Sequence, residues 1–172
     1  MLAEPVEATD LNIYGEAKLP WSRVAEGLAA GLPLPETPVF LGTVGPDGRP
    51  HSAGIGVAES EGRLYFTSGP GTRKSQRLAA NPACTLSARL PGVDLVLEGT
   101  AERTTDAAEI ARVAAVYAAG GWPAEPAGDA ITAPYSAQSA GPGPWHLYRF
   151  TARAAVGVAI AEPYGATRWH FA

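Results

Sequence analysis

The sequence predicts a mainly β protein, most simply a small β-barrel with short covering helices. Three observations carry that expectation. Short stretches rich in β-branched and aromatic residues recur between Gly- and Pro-containing turns, giving six to eight strands. Only two or three segments repeat their apolar residues at helical spacing. The 172 residues suit one domain better than two, with no internal repeat.

Residues 1–19 lack a sustained period and read as an N-terminal extension; residues 20–172 read as the single barrel domain. Pro20 opens a short helix, because proline is tolerated at a first helical position, and Trp21, Val24 and Leu28 then recur on one face. Gly31 and Pro33 end it. Pro38 to Gly45 reads as a strand, Pro46-Asp47-Gly48 as a turn, and Arg49 to Ala58 as the returning strand. Glu61-Gly62 turns the chain again into Arg63 to Ser68, which completes an antiparallel meander. Gly54 and Gly56 weaken the second strand, as glycines do at a bulge or where a ligand approaches.

Gly69-Pro70-Gly71 leads to Thr72, an N-cap for a helix from Arg73 to about Ala80 that Asn81-Pro82 stops. Strands follow at Ala83 to Leu90 and Asp94 to Arg103. Asp106 with Glu109 matches a capping box, and Ile110, Val113, Ala114 and Tyr117 form the apolar stripe of the helix behind it. Residues 120–144 form a long Pro/Gly/Ala-rich loop, yet Trp122, Ile131 and Tyr135 are spaced through it, so a lid or interface segment is expected rather than a free linker. Strands resume at Trp145 to Thr151, Ala154 to Ile160 and Thr167 to Phe171.

Composition narrows the function classes. The chain holds 33 Ala, 20 Gly and 16 Pro, so much of its 46% hydrophobic fraction is too small to build a core. A net charge of −4 with scattered cations gives no basic face for nucleic acid. The single Cys84 excludes an intramolecular disulfide and reads as a small core residue. No apolar run approaches the roughly 18 residues of a membrane span, and Glu4, Glu7 and Asp10 stand where a basic leader would be. A soluble, cytoplasmic protein with no membrane partner is expected.

The segment with most chemistry is residues 63–82. It runs strand, glycine turn, N-cap, then Arg73 and Lys74 in the first turn of a helix. Cations are unfavourable there, since the helix dipole already places partial positive charge at that end. An anion would reverse the penalty, and free amides with a hydroxyl and two cations suit a phosphate ester. The bland alternative is that both cations lie on the solvent face. His51, His146 and His170 sit on separate strands without metal-ligand spacing, and no Ser-His-Asp or other catalytic set is discernible, so neither catalytic residues nor a metal site are expected.

Tyr65 to Pro82 resembles the signature of the pyridoxamine 5′-phosphate oxidase-like, flavin-binding split-barrel superfamily. Pro46 to Ala53 (PDGRPHSA) is similar to its first hairpin, Asp94 to Ala101 (DLVLEGTA) to its fifth strand, Pro144 to Thr151 (PWHLYRFT) to the strand after its long loop, and Thr167 to Phe171 (TRWHF) to its C-terminal strand. The resemblance covers roughly residues 20–172. It implies a six-stranded antiparallel split barrel of Greek-key type, acting as a homodimer with cofactor sites at the subunit interface. It places Arg73, Lys74 and Thr72 with Thr67 and Ser68 around the cofactor phosphate. It puts Arg168 on an arginine that the second subunit contributes, and His51, Ser52 and Ala53 on a strand beside the isoalloxazine ring.

Departures matter too. Gly54 to Ala58 carries no cation where the oxidases proper have a basic cluster, the run Val156-Gly157-Val158 stands in place of their tryptophan, and their final strand and substrate-phosphate arginine are missing. Vitamin B6 oxidation is therefore not expected. The closer likeness is to flavin- or deazaflavin-dependent oxidoreductases that pass a hydride between FMN or coenzyme F-420 and a small organic substrate. The alternative is a non-catalytic flavin- or haem-binding or sensing protein of the same fold.

Overall fold

The computed structural model describes residues 2–34, 36–135 and 141–172. It contains eleven strands and three helices, and nine of the strands belong to one antiparallel sheet. Helix α1 (Trp21–Gly31) follows the first strand, β1 (Glu7–Asp10). Pro20 is its N-cap rather than its first helical residue, and Trp21, Val24 and Leu28 are buried as their spacing requires.

The meander expected from Pro38 to Ser68 forms with its middle strand broken in two. Strand β2 (Val39–Val44) pairs with β3 (Pro50–Ile55), but β4 (Val57–Ser60) leaves that ladder and pairs with β5 (Arg63–Ser68). The expected single strand 49–58 thus breaks at Gly56, where the chain bends from one side of the sheet to the other. The corresponding correction at the C-terminal end is a fusion. Trp145 to Thr151 and Ala154 to Ile160 are one strand, β10 (His146–Ala159), with a bulge between Ala152 and Ala154. Gly99 makes this possible, because a Cβ there would sit 2.0 Å from the Thr151 carbonyl oxygen.

Strand β10 organises the barrel. Along one edge it pairs with β7 (Val93–Thr104); along the other its first half takes β5 and its second half takes β11 (Ala166–His170). The ladders run β5, β10, β7, β6 (Ala83–Leu90), β2, β3, and β3 returns through Gly56 to β4 beside β5. Counting β3 and β4 as one bent strand, the ring has the expected six members, with β11 and β1 as additions on the far half of β10. Residues 1–19 are therefore not free of the sheet. Strand β1 pairs with β11, and Asn12 pins the segment by accepting from the Ala166 amide at 2.8 Å.

Alternation along the strands sends Leu41, Leu64, Phe66, Leu86, Leu97 and Phe150 into the barrel, and α1 closes it with Trp21 edge-on to Trp169 at 5.3 Å. A second cluster forms outside, where α3 (Ala107–Ala119) lays Ile110, Val113 and Ala114 on Tyr65, Ala58 and Leu147. The 120–144 segment contributes to it. Its hairpin β8 (Glu125–Ala127) and β9 (Ala130–Thr132) buries Ile131, and Trp122 packs between Tyr117 and Trp145. Tyr135 is half exposed, and residues 136–140 of that loop lie outside the described residues. No helix among the described residues is long and apolar enough to cross a membrane.

Candidate functional site

Strand β5, the Gly69-Pro70-Gly71 turn and α2 (Arg73–Ala80) form one local unit. Thr72 caps the helix by accepting from the Ser75 amide at 3.4 Å, and its own amide donates to Gly69 O at 3.0 Å. Its hydroxyl lies 2.9 Å from that of Ser68, and the Ser75 hydroxyl lies 2.8 Å from Ser68 Oγ and 2.8 Å from Gly69 O. The hydroxyls of Ser68 and Thr72 are thus engaged in holding the turn, together with Ser75, which the sequence reading passed over. Nothing in a serine one turn into a helix distinguishes it until the turn folds back over it.

That knot fixes the direction of the helix start. The first amides of a helix have no intrahelical acceptor, so those of Arg73 and Lys74 point outward unmatched. Arg73 is exposed and Lys74 half buried. Among the described residues neither side chain has an ion-pair or hydrogen-bond partner. No acidic residue stands in the first turn to offset them.

The other expected site residues lie elsewhere. His51, Ser52 and Ala53 are on β3, opposite Thr43, Gly42 and Leu41, with β3 at the end of its ladder. His51 and Ala53 are half buried and Ser52 is exposed. Arg168 is on β11 opposite Val156, whereas Ser68, which leads into α2, is opposite His146 at the start of β10. Those ten positions amount to about 30 Å of strand, several times the reach of an arginine. Within one chain, Arg168 does not meet the α2 N-terminus. It forms instead a two-point ion pair with Glu98, at 2.6 and 3.3 Å.

Between α1, the β3–β4 bend and the C-terminal end of α3 lies a cleft of about 930 Å³. Thr67, next to Ser68, lines it, so the cleft begins where the β5–α2 unit starts. Gly56 also lines it, with open space where a Cβ would be. Tyr117 is pinned across its wall, its hydroxyl donating to Tyr65 O at 3.2 Å and reaching Gly56 O at 3.4 Å; burial raises its pKa. A smaller recess of about 510 Å³ between α2 and β10 is lined by Gln76, Glu102, Arg103 and His146. Burial and the nearby Arg103 charge lower the pKa of His146, against a weaker opposing pull from Asp129.

At the other end of α3, Glu109 departs from the capping box. Asp106 does accept from the Glu109 amide at 2.8 Å, but the Glu109 carboxylate does not reach back to Asp106. It turns inward, 5% exposed, to accept from Tyr65 Oη at 2.6 Å and Thr104 Oγ1 at 2.5 Å, with Arg149 at 3.4 Å and Arg63 at 3.8 Å. Burial raises its pKa, but the two hydroxyls and Arg149 outweigh that and hold the carboxyl below the usual value. Cys84 is buried in the core, its thiol pushed up to about 12 by burial.

The architecture has solved counterparts. A pyridoxamine 5′-phosphate oxidase-related, FMN-binding protein from Nostoc punctiforme superposes with a TM-score of 0.60 at 17% identity, over 90% of this chain and 92% of that one. A heme-binding protein from Mycobacterium smegmatis gives 0.61 at 16% identity, over 87% of this chain and 58% of that one. PhzG from Burkholderia lata, in complex with tetrahydrophenazine-1-carboxylic acid, gives 0.57 at 15% identity, over 88% and 85%. No curated protein sequence matches the chain. The pyridoxamine 5′-phosphate oxidase family model matches residues 29–158, which hold the barrel from the end of α1 into β10 and include the β5–α2 unit. The chain therefore belongs to the pyridoxamine 5′-phosphate oxidase family.

Proposed function

We propose that the protein is a flavin- or deazaflavin-dependent oxidoreductase that holds the phosphate of FMN or coenzyme F-420 at the start of α2. One observation carries this reading. Arg73 and Lys74, with their two unmatched amides, place four donors at a helix N-terminus with no counter-charge from the described residues. Such a donor set suits an anion, of which a phosphate ester is one, since an uncharged ligand would leave two cations against the helix dipole. The hydroxyls of Ser68, Thr72 and Ser75 hold the turn from which those donors start. When bound, the cofactor supplies hydride transfer; the protein binds it, orients it and excludes water.

The reading includes a homodimer. Arg168 sits half exposed on β11 beside the distal half of β10, out of reach of its own α2, and its pair with Glu98 is exposed enough to contribute no more than about 1 kcal/mol. A second copy would bring Arg168 to the partner's cofactor at little cost, beside the β3 strand of His51, Ser52 and Ala53. The outward residues Phe40, Val96 and Val158, each more than a third exposed, lie on neighbouring ladders between these elements and suit burial against that copy.

The test is a fluorescence titration of FMN and of F-420 against wild type and the Arg73→Ala/Lys74→Ala double variant. Two charge-assisted contacts are worth about 3 kcal/mol together, so affinity falls about 100-fold. Riboflavin, which has no phosphate, binds both proteins equally. Equal FMN and F-420 affinity in both proteins overturns the phosphate assignment. A non-catalytic haem-binding role is the second reading, favoured by His146, an imidazole that lines the recess of about 510 Å³ between α2 and β10. It requires a Soret band on adding haem that His146→Ala abolishes.

A further inference from the structure

The cleft between α1, the β3–β4 bend and α3 has a chemistry that the phosphate site does not share. Leu28, Val39, Ile55, Val57, Val116 and Trp122 are among its apolar lining residues. No lysine, arginine or histidine is among its described lining residues. Its one charged lining residue, Glu59, accepts from the Gly62 amide at 2.8 Å. The remaining polar groups are the hydroxyls of Thr37, Thr67 and Tyr117, and Tyr117 already spends its proton on backbone carbonyls. At about 930 Å³ the space falls within the roughly 300–1,000 Å³ of small-molecule sites.

We infer that this cleft is a binding site for a neutral, largely apolar ring compound, with carbonyl or hydroxyl substituents at most, and that it excludes organic anions. A carboxylate or phosphate placed here would lose its hydration, meet no lysine, arginine or histidine side chain among the described lining residues and share the wall with the Glu59 carboxylate, whereas a neutral ring gains apolar contact. Thr67 brings the cleft wall to the end of β5, the strand that leads into the α2 site. If the cofactor reading holds, the occupant is the hydride donor or acceptor; that identification, but not the selectivity of the cleft, rests on it. The phosphate-binding cations then serve the cofactor alone, and a phosphorylated substrate meets no basic side chain among the described lining residues of this cleft.

Gly56 and Val116 allow a two-sided test. The φ of Gly56 is not in the left-handed region and a Cβ there meets nothing within 4 Å, so Gly56→Leu fills the cleft without backbone strain. Val116 is 36% exposed on α3, so Val116→Arg adds a cation to the wall without opening the core. Binding of 2-acetylnaphthalene and of its near-isostere 2-naphthoate is measured by calorimetry on the full chain, with thermal unfolding as a check that both variants fold. Wild type binds the ketone at least 10-fold more tightly than the carboxylate. Gly56→Leu weakens the ketone at least 10-fold, and Val116→Arg reverses the preference. Equal or tighter binding of 2-naphthoate by wild type overturns the inference, as does an unaffected Gly56→Leu. Absence of any binding, as when a second copy fills the cleft, overturns it as well. The Arg73→Ala/Lys74→Ala variant, titrated in parallel, keeps its ketone affinity, so failure here and failure of the phosphate assignment give different patterns.

Discussion

Replacing Glu109 by glutamine tests how the cleft wall is fastened to the barrel. The carboxylate receives two hydroxyl bonds at 2.5 and 2.6 Å and faces Arg149 at 3.4 Å. The amide of Glu109→Gln keeps the shape but offers one acceptor and one donor, so one hydroxyl must turn away and both arginines lose their anion. A buried hydrogen bond to a charge contributes about 1.5–3 kcal/mol. Arg149 and Arg63 are 36% and 57% exposed, so their part is screened and small. The net loss is about 2 kcal/mol, or roughly 4–8 °C in Tm for a chain of this size. Urea unfolding followed by circular dichroism measures it. Tyr65→Phe removes one of the same bonds, so the double variant loses less than the sum of the singles, with a coupling of about 1 kcal/mol. The pH dependence has a fixed sign. Because the folded-state pKa is lowered, the stabilisation is complete above the ordinary glutamate value of about 4.3 and is lost as pH falls through the folded value. The gap between wild type and Glu109→Gln therefore persists at neutral pH and closes in acid. A gap under about 0.5 kcal/mol at pH 7, or one that widens on acidification, refutes the reasoning.

Two further outcomes follow from packing. Gly99→Ala forces a Cβ to within 2.0 Å of the Thr151 carbonyl, a backbone atom that no rotamer change removes; the variant loses about 3 kcal/mol of stability in the same urea assay. Cys84, 7% exposed with its thiol pushed up to about 12, stays unlabelled by a disulfide reagent at pH 8 in the native protein and reacts stoichiometrically in denaturant.

What the sequence made legible was whatever depends on near neighbours. The Thr72 cap, the Gly48 turn between β2 and β3, and the amphipathic stripes of α1 and α3 are decided within a few residues, and they stand where the sequence pattern puts them. Partner choice is not decided there. Nothing in the run 49–58 tells whether it continues along β2 or crosses to β5; that depends on barrel closure, for which Gly56 supplies only the permission to bend. The fusion of two expected strands into β10 has the same origin, since the bulge at Arg153 is set by the approach of Gly99 on another strand.

The same distinction divides the function. Arg73 and Lys74 could be singled out because their cost is local: two cations in one helical turn against a dipole, within a segment that folds on itself through Ser68, Thr72 and Ser75. The apolar cleft had no such signature. Leu28, Ile55, Val116 and Trp122 come from four separate segments, and each taken singly reads as an ordinary core residue. What makes them a site is what the fold withholds, a sixth wall of side chains over the bend at Gly56. Glu109 shows the limit from the other direction. Its spacing from Asp106 satisfies a helix-start pattern, and the amide half of that pattern forms. Yet Tyr65 and Thr104 compete for its carboxylate from β5 and β7, and two buried hydroxyl donors prevail over the Asp106 amide, which donates to Thr104 Oγ1 instead. A local motif thus predicts the backbone it caps more securely than the side chain it names, and where the two part company the side chain is the one recruited by the tertiary fold.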